Sequence, residues 1–190
     1  MLITENPNFK IICVNGPPES GKSTFEKMCQ KILTPKYCQI RSTVDEIKRI
    51  ATECGWNGEK TPEARKFLSD LKDLLTNFND MPFRDIVEYA TAFETNLIFS
   101  ESEQNPHILF VDVREPPEIQ RFKDELGAKS LLIWRPGHKS GEILNHADKN
   151  VFDFTYDYEI CNDGSLEQLE SLAANFISTL LTVDKPPWED

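Results

Sequence analysis

Residues 9–24 read Phe9-Lys-Ile-Ile-Cys-Val14-Asn-Gly16-Pro17-Pro18-Glu19-Ser20-Gly21-Lys22-Ser23-Thr24. The run from Phe9 to Val14 is apolar and β-branched, and reads as a buried strand. Gly16 to Ser23 then match G-x-x-x-x-G-K-[ST]. Each position in that pattern has a physical task. The glycines permit backbone angles that turn several N–H groups inward around a phosphate. A helix opening directly behind the loop presents its positive dipole end to the same anion. Lys22 supplies a cation to the β and γ phosphates, and the Ser23 hydroxyl can ligate Mg²⁺. The segment from Gly16 to Thr24 is therefore expected to cradle the phosphates of ATP.

The same alternation continues outward along the chain. Helix is expected from Thr24 to Leu33, strand from Tyr37 to Arg41, and helix from Val44 to Cys54, stopped by the turn Gly55-Trp-Asn-Gly58. Thr61-Pro62 opens another helix, with Thr at the N-cap and Pro at the first helical position. Ala64, Phe67, Leu68, Leu71, Leu74, Leu75 and Phe78 recur at steps of three and four, which predicts one apolar face. After Asn79-Asp-Met-Pro82, the residues Phe83, Ile86, Val87, Ala90, Phe93 and Leu97 repeat that pattern. Trp56 and the Phe cluster of this helical stretch read as core. Ile108 to Val111 is a continuous apolar run ending in Asp112. Pro116 to Leu126 reads as helix with Gly127 as its cap, Ser130 to Trp134 as strand and Tyr158 to Cys161 as strand. Ser165-Leu-Glu-Gln168 has the pattern of a capping box before a final amphipathic helix.

Short apolar strands alternating with helices mean a parallel sheet covered on both faces. The expected fold is an α/β three-layer sandwich with a five-stranded, mainly parallel sheet, forming a single domain over 1–190. The helical stretch of about 42–106 is too long for a simple crossover, so an insert lying over the carboxyl ends of the strands is expected. Ligands bind at those ends in open α/β sheets. Arg135 to Tyr156 has little periodicity and reads as a mobile excursion. Asp112 sits at a strand tip beside the phosphate loop, where a carboxylate can hold Mg²⁺ through its water shell.

Composition narrows the class. The chain has 190 residues, with 21 Lys plus Arg against 32 Asp plus Glu, for a net charge of −11. That length suits one domain. The acidic balance argues against duplex nucleic acid as a partner. No apolar run approaches the roughly 18 residues that span a bilayer, and the N-terminal residues do not spell a secretory signal. The cysteines (Cys13, Cys29, Cys38, Cys54, Cys161) contain no CxxC pair, which favours reduced thiols and a cytoplasmic setting. A Ras-type GTPase would need Asn-Lys-x-Asp, and Asn145-His-Ala-Asp148 lacks the Lys. Helicases and large ATPases need more chain.

In the order of its motifs the chain resembles the P-loop nucleoside monophosphate kinase superfamily, and most of all the phage and bacterial deoxynucleoside monophosphate kinases. Ile108-Leu-Phe-Val-Asp112-Val-Arg114-Glu115-Pro116-Pro117-Glu118 is similar to their Asp-Val-Arg-x-Pro-x-Glu segment, with Glu115 where those enzymes often carry an aromatic residue. Tyr158 to Leu166 is similar to their last strand and helix start. The resemblance implies a P-loop NTPase fold, ATP and Mg²⁺ as cofactors, and deoxynucleotide metabolism. It implies a metal-side role for Asp112, a phosphate or substrate contact for Arg114, and a place near adenine for Asn162 to Gly164. It also implies an acceptor site between the sheet and the insert and a lid of about 135–157, with Arg135 at its mouth. The usual lids carry several arginines; here Arg135 is followed by His138, Lys139, His146 and Lys149.

A nucleoside monophosphate brings a phosphate dianion, for which paired arginines are the expected clamp. Arg41 and Arg84 are the candidates, with Asp45 as a ligand for a sugar hydroxyl or as a helix starter. The small-molecule acceptor is already ionised, so catalysis reduces to positioning and electrostatics by Lys22, Arg135 and Arg114. Two other readings stay open. A hydroxyl acceptor, on a small metabolite or a modified nucleotide or DNA base, would need Asp45 as general base. A nucleotide-binding regulator with a degenerate lid would bind ATP without transferring from it. Oligomeric state is not legible in these residues.

Overall fold

The computed structural model describes residue 6 and residues 8–98, 106–137 and 150–182. Along the chain these form β1 (Phe9–Asn15), α1 (Lys22–Tyr37), β2 (Cys38–Ser42), α2 (Asp45–Glu53), α3 (Pro62–Asn79) and α4 (Met81–Ile98). They continue with β3 (His107–Asp112), α5 (Pro116–Leu126), β4 (Lys129–Trp134), β5 (Tyr158–Cys161) and α6 (Leu166–Thr182). The chain divides into two compact units, Arg41–Phe99 and the pair of segments Met1–Ile40 and Ser100–Asp190.

In the larger unit the strands lie in the order β2-β3-β1-β4-β5. β1 runs parallel to both β3 and β4, and β4 runs parallel to β5. β1, the strand that leads into the glycine-rich loop, is thus the central one. Side chains alternate between the two faces of a strand, and both faces are covered here. Ile12, Val14, Ile108, Phe110, Leu131 and Ile133 form one core with Phe25 and Cys29 of α1 and Leu169, Phe176 and Ile177 of α6. On the other side Ile11, Cys13, Leu109 and Val111 are buried, and α5, which packs on β1 and β4, buries Ile119 and Phe122. All five cysteines are free thiols.

Local chemistry sets the boundaries. The regular part of α1 ends at Leu33, because Thr34 adopts φ 67° and ψ 153° ahead of Pro35. Proline drives its predecessor to an extended ψ, and a positive φ strains a β-branched residue. α5 stops at Gly127, φ 63°. α6 starts on its capping box: the Gln168 N–H donates to Ser165 Oγ at 3.4 Å, and the Ser165 N–H donates to Gln168 Oε1 at 2.7 Å.

The Arg41–Phe99 unit is three helices around Ile47, Ala51, Ile86 and Ala90. α3 begins as its sequence predicts, with the Ala64 N–H donating to Thr61 Oγ1 at 3.2 Å. Its expected single core face is corrected by the structure. Ala64, Leu68, Leu71 and Leu75 are half-buried, but Phe67, Leu74 and Phe78 stand exposed, Phe78 by 79%. Seven apolar residues at these steps make two adjacent stripes, and packing against α2 and α4 covers one of them. Trp56 is half-buried, its indole N–H donating to the Glu59 carbonyl at 2.9 Å.

The expected excursion divides. His138, Lys139, His146 and Lys149 lie outside the described residues. Its end is anchored: Val151 and Tyr156 are buried, and the Tyr156 hydroxyl donates to the Val151 carbonyl at 2.8 Å. Among the described residues no helix is long and apolar enough to cross a membrane.

Candidate functional site

The loop from Gly16 to Gly21 leaves the carboxyl end of β1 and is held by side chains from several elements. Asn15, buried below it, accepts the Gly16 N–H through Oδ1 at 2.8 Å. Its amide donates to the Tyr156 hydroxyl at 2.9 Å and to the Arg114 carbonyl at 3.1 Å. Gly16 sits at φ 152°, where a Cβ would come within 1.9 Å of the Ile133 carbonyl oxygen on β4. Gly21 sits at φ 97°, where a Cβ would meet Asn162 Nδ2 at 2.5 Å. That same Asn162 amide donates to the Ser20 carbonyl at 2.9 Å. Gly16 is therefore fixed by close approach to backbone as well as by conformation, and Gly21 by its conformation.

α1 starts at Lys22 with no side-chain cap. The first N–H groups of a helix lack intrahelical acceptors and point at whatever the loop encloses. Lys22 reaches back across that loop: its Nζ donates to the carbonyls of Gly16 at 2.5 Å and Pro17 at 2.8 Å. Ser23 and Thr24 are exposed in the same first turn. Register places Asp112 beside Val14, two residues before Gly16. The loop residues, Lys22, Ser23 and Asp112 are thus brought together.

Glu26, which sequence patterning left unremarked, belongs to this group. It is 1% exposed, and its Oε1 has no hydrogen-bond partner. Burial and the neighbouring Asp112 push its carboxyl up to about 9, against the pull of Lys22. No cluster of three or more His, Cys, Asp or Glu able to hold a metal occurs among the described residues. A cation that shares its coordination with phosphate oxygens and water needs fewer protein donors. The Ser23 hydroxyl, the Asp112 carboxylate and the orphaned Glu26 oxygen are hard oxygen donors of the kind that could hold Mg²⁺.

Arg114 has an exposed side chain, and its backbone carbonyl serves Asn15. Arg135 is exposed directly after β4, two residues beyond the Ile133 carbonyl that Gly16 abuts. Asn162, which the resemblance places near adenine, also holds the Gly16–Gly21 loop through its side-chain amide. Nothing in its spacing announces that role, since the contact joins residues 142 apart.

The smaller unit holds the other candidates. The Arg41 guanidinium lies over the Tyr89 ring, 4.2 Å from its centroid, and 3.8 Å from Asp85. Its Nε is buried without a hydrogen-bond partner. Burial lifts the Asp85 carboxyl above its ordinary range, while Arg41 opposes the rise. Asp85 and Tyr89 are i and i+4 on α4, a pairing the sequence shows only once Arg41 is known to face it. Asp45 takes up its helix-start role: Oδ2 accepts the Ser42 N–H at 2.8 Å. Arg84 is exposed, with Nη1 3.4 Å from the Asn79 carbonyl and Nη2 3.7 Å from Glu88.

No family model matches the chain, and no curated protein matches it. Solved structures do. A dephospho-CoA kinase from Campylobacter jejuni aligns with a TM-score of 0.51 at 16% identity, covering 91% of this chain and 98% of that one. A shikimate kinase from Acinetobacter baumannii aligns with a TM-score of 0.46 at 12% identity, over 97% and 99% of the two chains. An APS kinase from Mycobacterium tuberculosis aligns with a TM-score of 0.45 at 11% identity, over 89% and 96%. The fold, a five-stranded parallel sheet with helices, is shared with the Campylobacter jejuni kinase.

Proposed function

We propose that the protein transfers the γ-phosphoryl group of ATP to the phosphate of a nucleoside or deoxynucleoside monophosphate. The observation that carries this reading is Lys22, held across a loop whose glycines sit at positive φ and, at Gly16, against the Ile133 carbonyl. A preorganised cation and inward N–H groups cost no reorganisation when charge develops on the transferring group. Mg²⁺, when bound, neutralises charge on the phosphate oxygens. Ser23 and Asp112 hold it, and Arg135 and Arg114 add cationic charge around the phosphates.

For the acceptor, Arg41 is the main support. Its guanidinium is positioned by Tyr89 and only loosely engaged by Asp85, which leaves it able to take a phosphate dianion. Arg84 assists as a second cation. An ionised acceptor needs no general base, and Asp45, the carboxylate best placed in sequence to be one, is committed to the Ser42 N–H. A hydroxyl acceptor is the second reading. It is favoured by Asp85, whose raised proton affinity beside Arg41 suits a general base.

The test is ADP release with ATP and Mg²⁺ against a panel of ribo- and deoxynucleoside monophosphates, with Lys22→Ala as control. Stimulation by one or a few monophosphates, lost in Lys22→Ala, is expected. A flat panel with ATP binding intact would overturn the monophosphate reading.

A further inference from the structure

Glu26 lies one helical turn beyond Lys22 and three residues beyond Ser23, on the same face of α1. Ser23 is exposed at the start of that face, while the Glu26 side chain is turned inward: it is 1% exposed, with Asp112 at the end of β3 and Lys22 as its charged neighbours. Glutamate is almost never fully buried unless it is paired, and Oε1 here has no hydrogen-bond partner. An apolar residue at position 26 would pack with Phe25 and Cys29 without that cost. A buried carboxyl oxygen without a hydrogen-bond partner, next to the Asp112 carboxylate, is a hard donor that the water shell of a divalent cation would satisfy.

We infer that Glu26 is a second carboxylate for the divalent cation of the nucleotide complex, holding its water shell together with Asp112 and Ser23. The inference rests on the proposed nucleotide site and names a further residue in it. Carboxylates around a bound cation orient its waters, and losing such a partner typically weakens metal affinity by about 10–100-fold. Glu26 is thereby a positioning residue, acting on the cation and not on the acceptor.

The experiment is a Mn²⁺ titration of the full chain saturated with ADP, with free Mn²⁺ followed by electron paramagnetic resonance. It compares wild type with Glu26→Gln, which keeps the shape, and Glu26→Leu, which fills the site with an apolar side chain. Affinity of both variants for Mn²⁺ should fall by about tenfold or more, while metal-free ADP affinity stays within about twofold. Wild-type Mn²⁺ affinity in both variants would overturn the role of Glu26 and leave the nucleotide site standing. A wild-type protein that takes up no Mn²⁺ with ADP would overturn the inference and the proposed site together.

Discussion

The Gly16–Gly21 loop and the three-helix unit achieve order by different means. The loop is specified by close contacts to backbone: two glycines at positive φ, an Asn15 below, an Asn162 beside, and a lysine folded back onto two carbonyls. The helical unit is specified by a small core of Ile47, Ala51, Ile86 and Ala90, and displays its chemistry on half-exposed side chains such as Arg41. A site that must present N–H groups to an anion gains from rigidity. A site that must admit and release an acceptor is drawn from the less tightly packed end of a protein.

The sharpest way to break that contrast is at the loop. Lys22→Ala should lower kcat by about 10³-fold or more in ADP-release assays, the range seen when a cation on the transferring phosphoryl group is removed. Gly16→Ala should abolish ATP binding by calorimetry and lower unfolding stability by about 3 kcal/mol or more, because its Cβ meets the Ile133 carbonyl at 1.9 Å. An Ala variant with wild-type stability would mean that the loop is free to shift.

In the helical unit the expected effects are smaller and selective. Arg41→Ala should raise the acceptor KM by about 30-fold, some 2 kcal/mol for a charge-assisted contact, and leave the KM for ATP within about twofold. An equal rise in both would remove the division of labour between the units.

Side-chain clamps in the larger unit rank next. Asp157 accepts from the Ser130 N–H, Ser130 Oγ and Lys123 Nζ, each at 2.8 Å. Burial works against its charge, but these bonds hold its carboxyl below the ordinary range. A depressed pKa contributes stability that is present above the unfolded value and lost as pH falls through the folded one. Asp157→Asn should therefore cost about 1.5 kcal/mol at neutral pH and nothing once pH lies below the carboxylate range, as read from denaturant midpoints across pH. A penalty independent of pH would assign the effect to packing. Smallest of all, Phe78→Ser on the exposed stripe of α3 should change stability by less than about 0.5 kcal/mol; a large loss would place that stripe in contact with something.

The sequence was most readable where chemistry is local. The strand before Gly16, the box of Ser165 and Gln168, the Thr61 cap and the Gly127 stop all depend on residues a few positions apart. What escaped depends on long separations or on how many neighbours a helix meets. Asn162 reaches Ser20 across the sheet, and Tyr156 reaches Asn15 from a segment that lacks periodicity. Phe67, Leu74 and Phe78 satisfy a helical period, yet period cannot say that only one of two stripes is covered. Glu26 is hidden by its surroundings, an acid in a helix of mixed polarity whose burial only the fold reveals.

The central claim is that a phosphate, and not a hydroxyl, receives the γ-phosphoryl group. Phosphorus NMR of the products formed from ATP, Mg²⁺ and the best acceptor of the panel tests it directly. A new phosphoanhydride, seen as a coupled pair of resonances beyond those of ADP, is the predicted result. A new phosphomonoester, or inorganic phosphate alone, would contradict it.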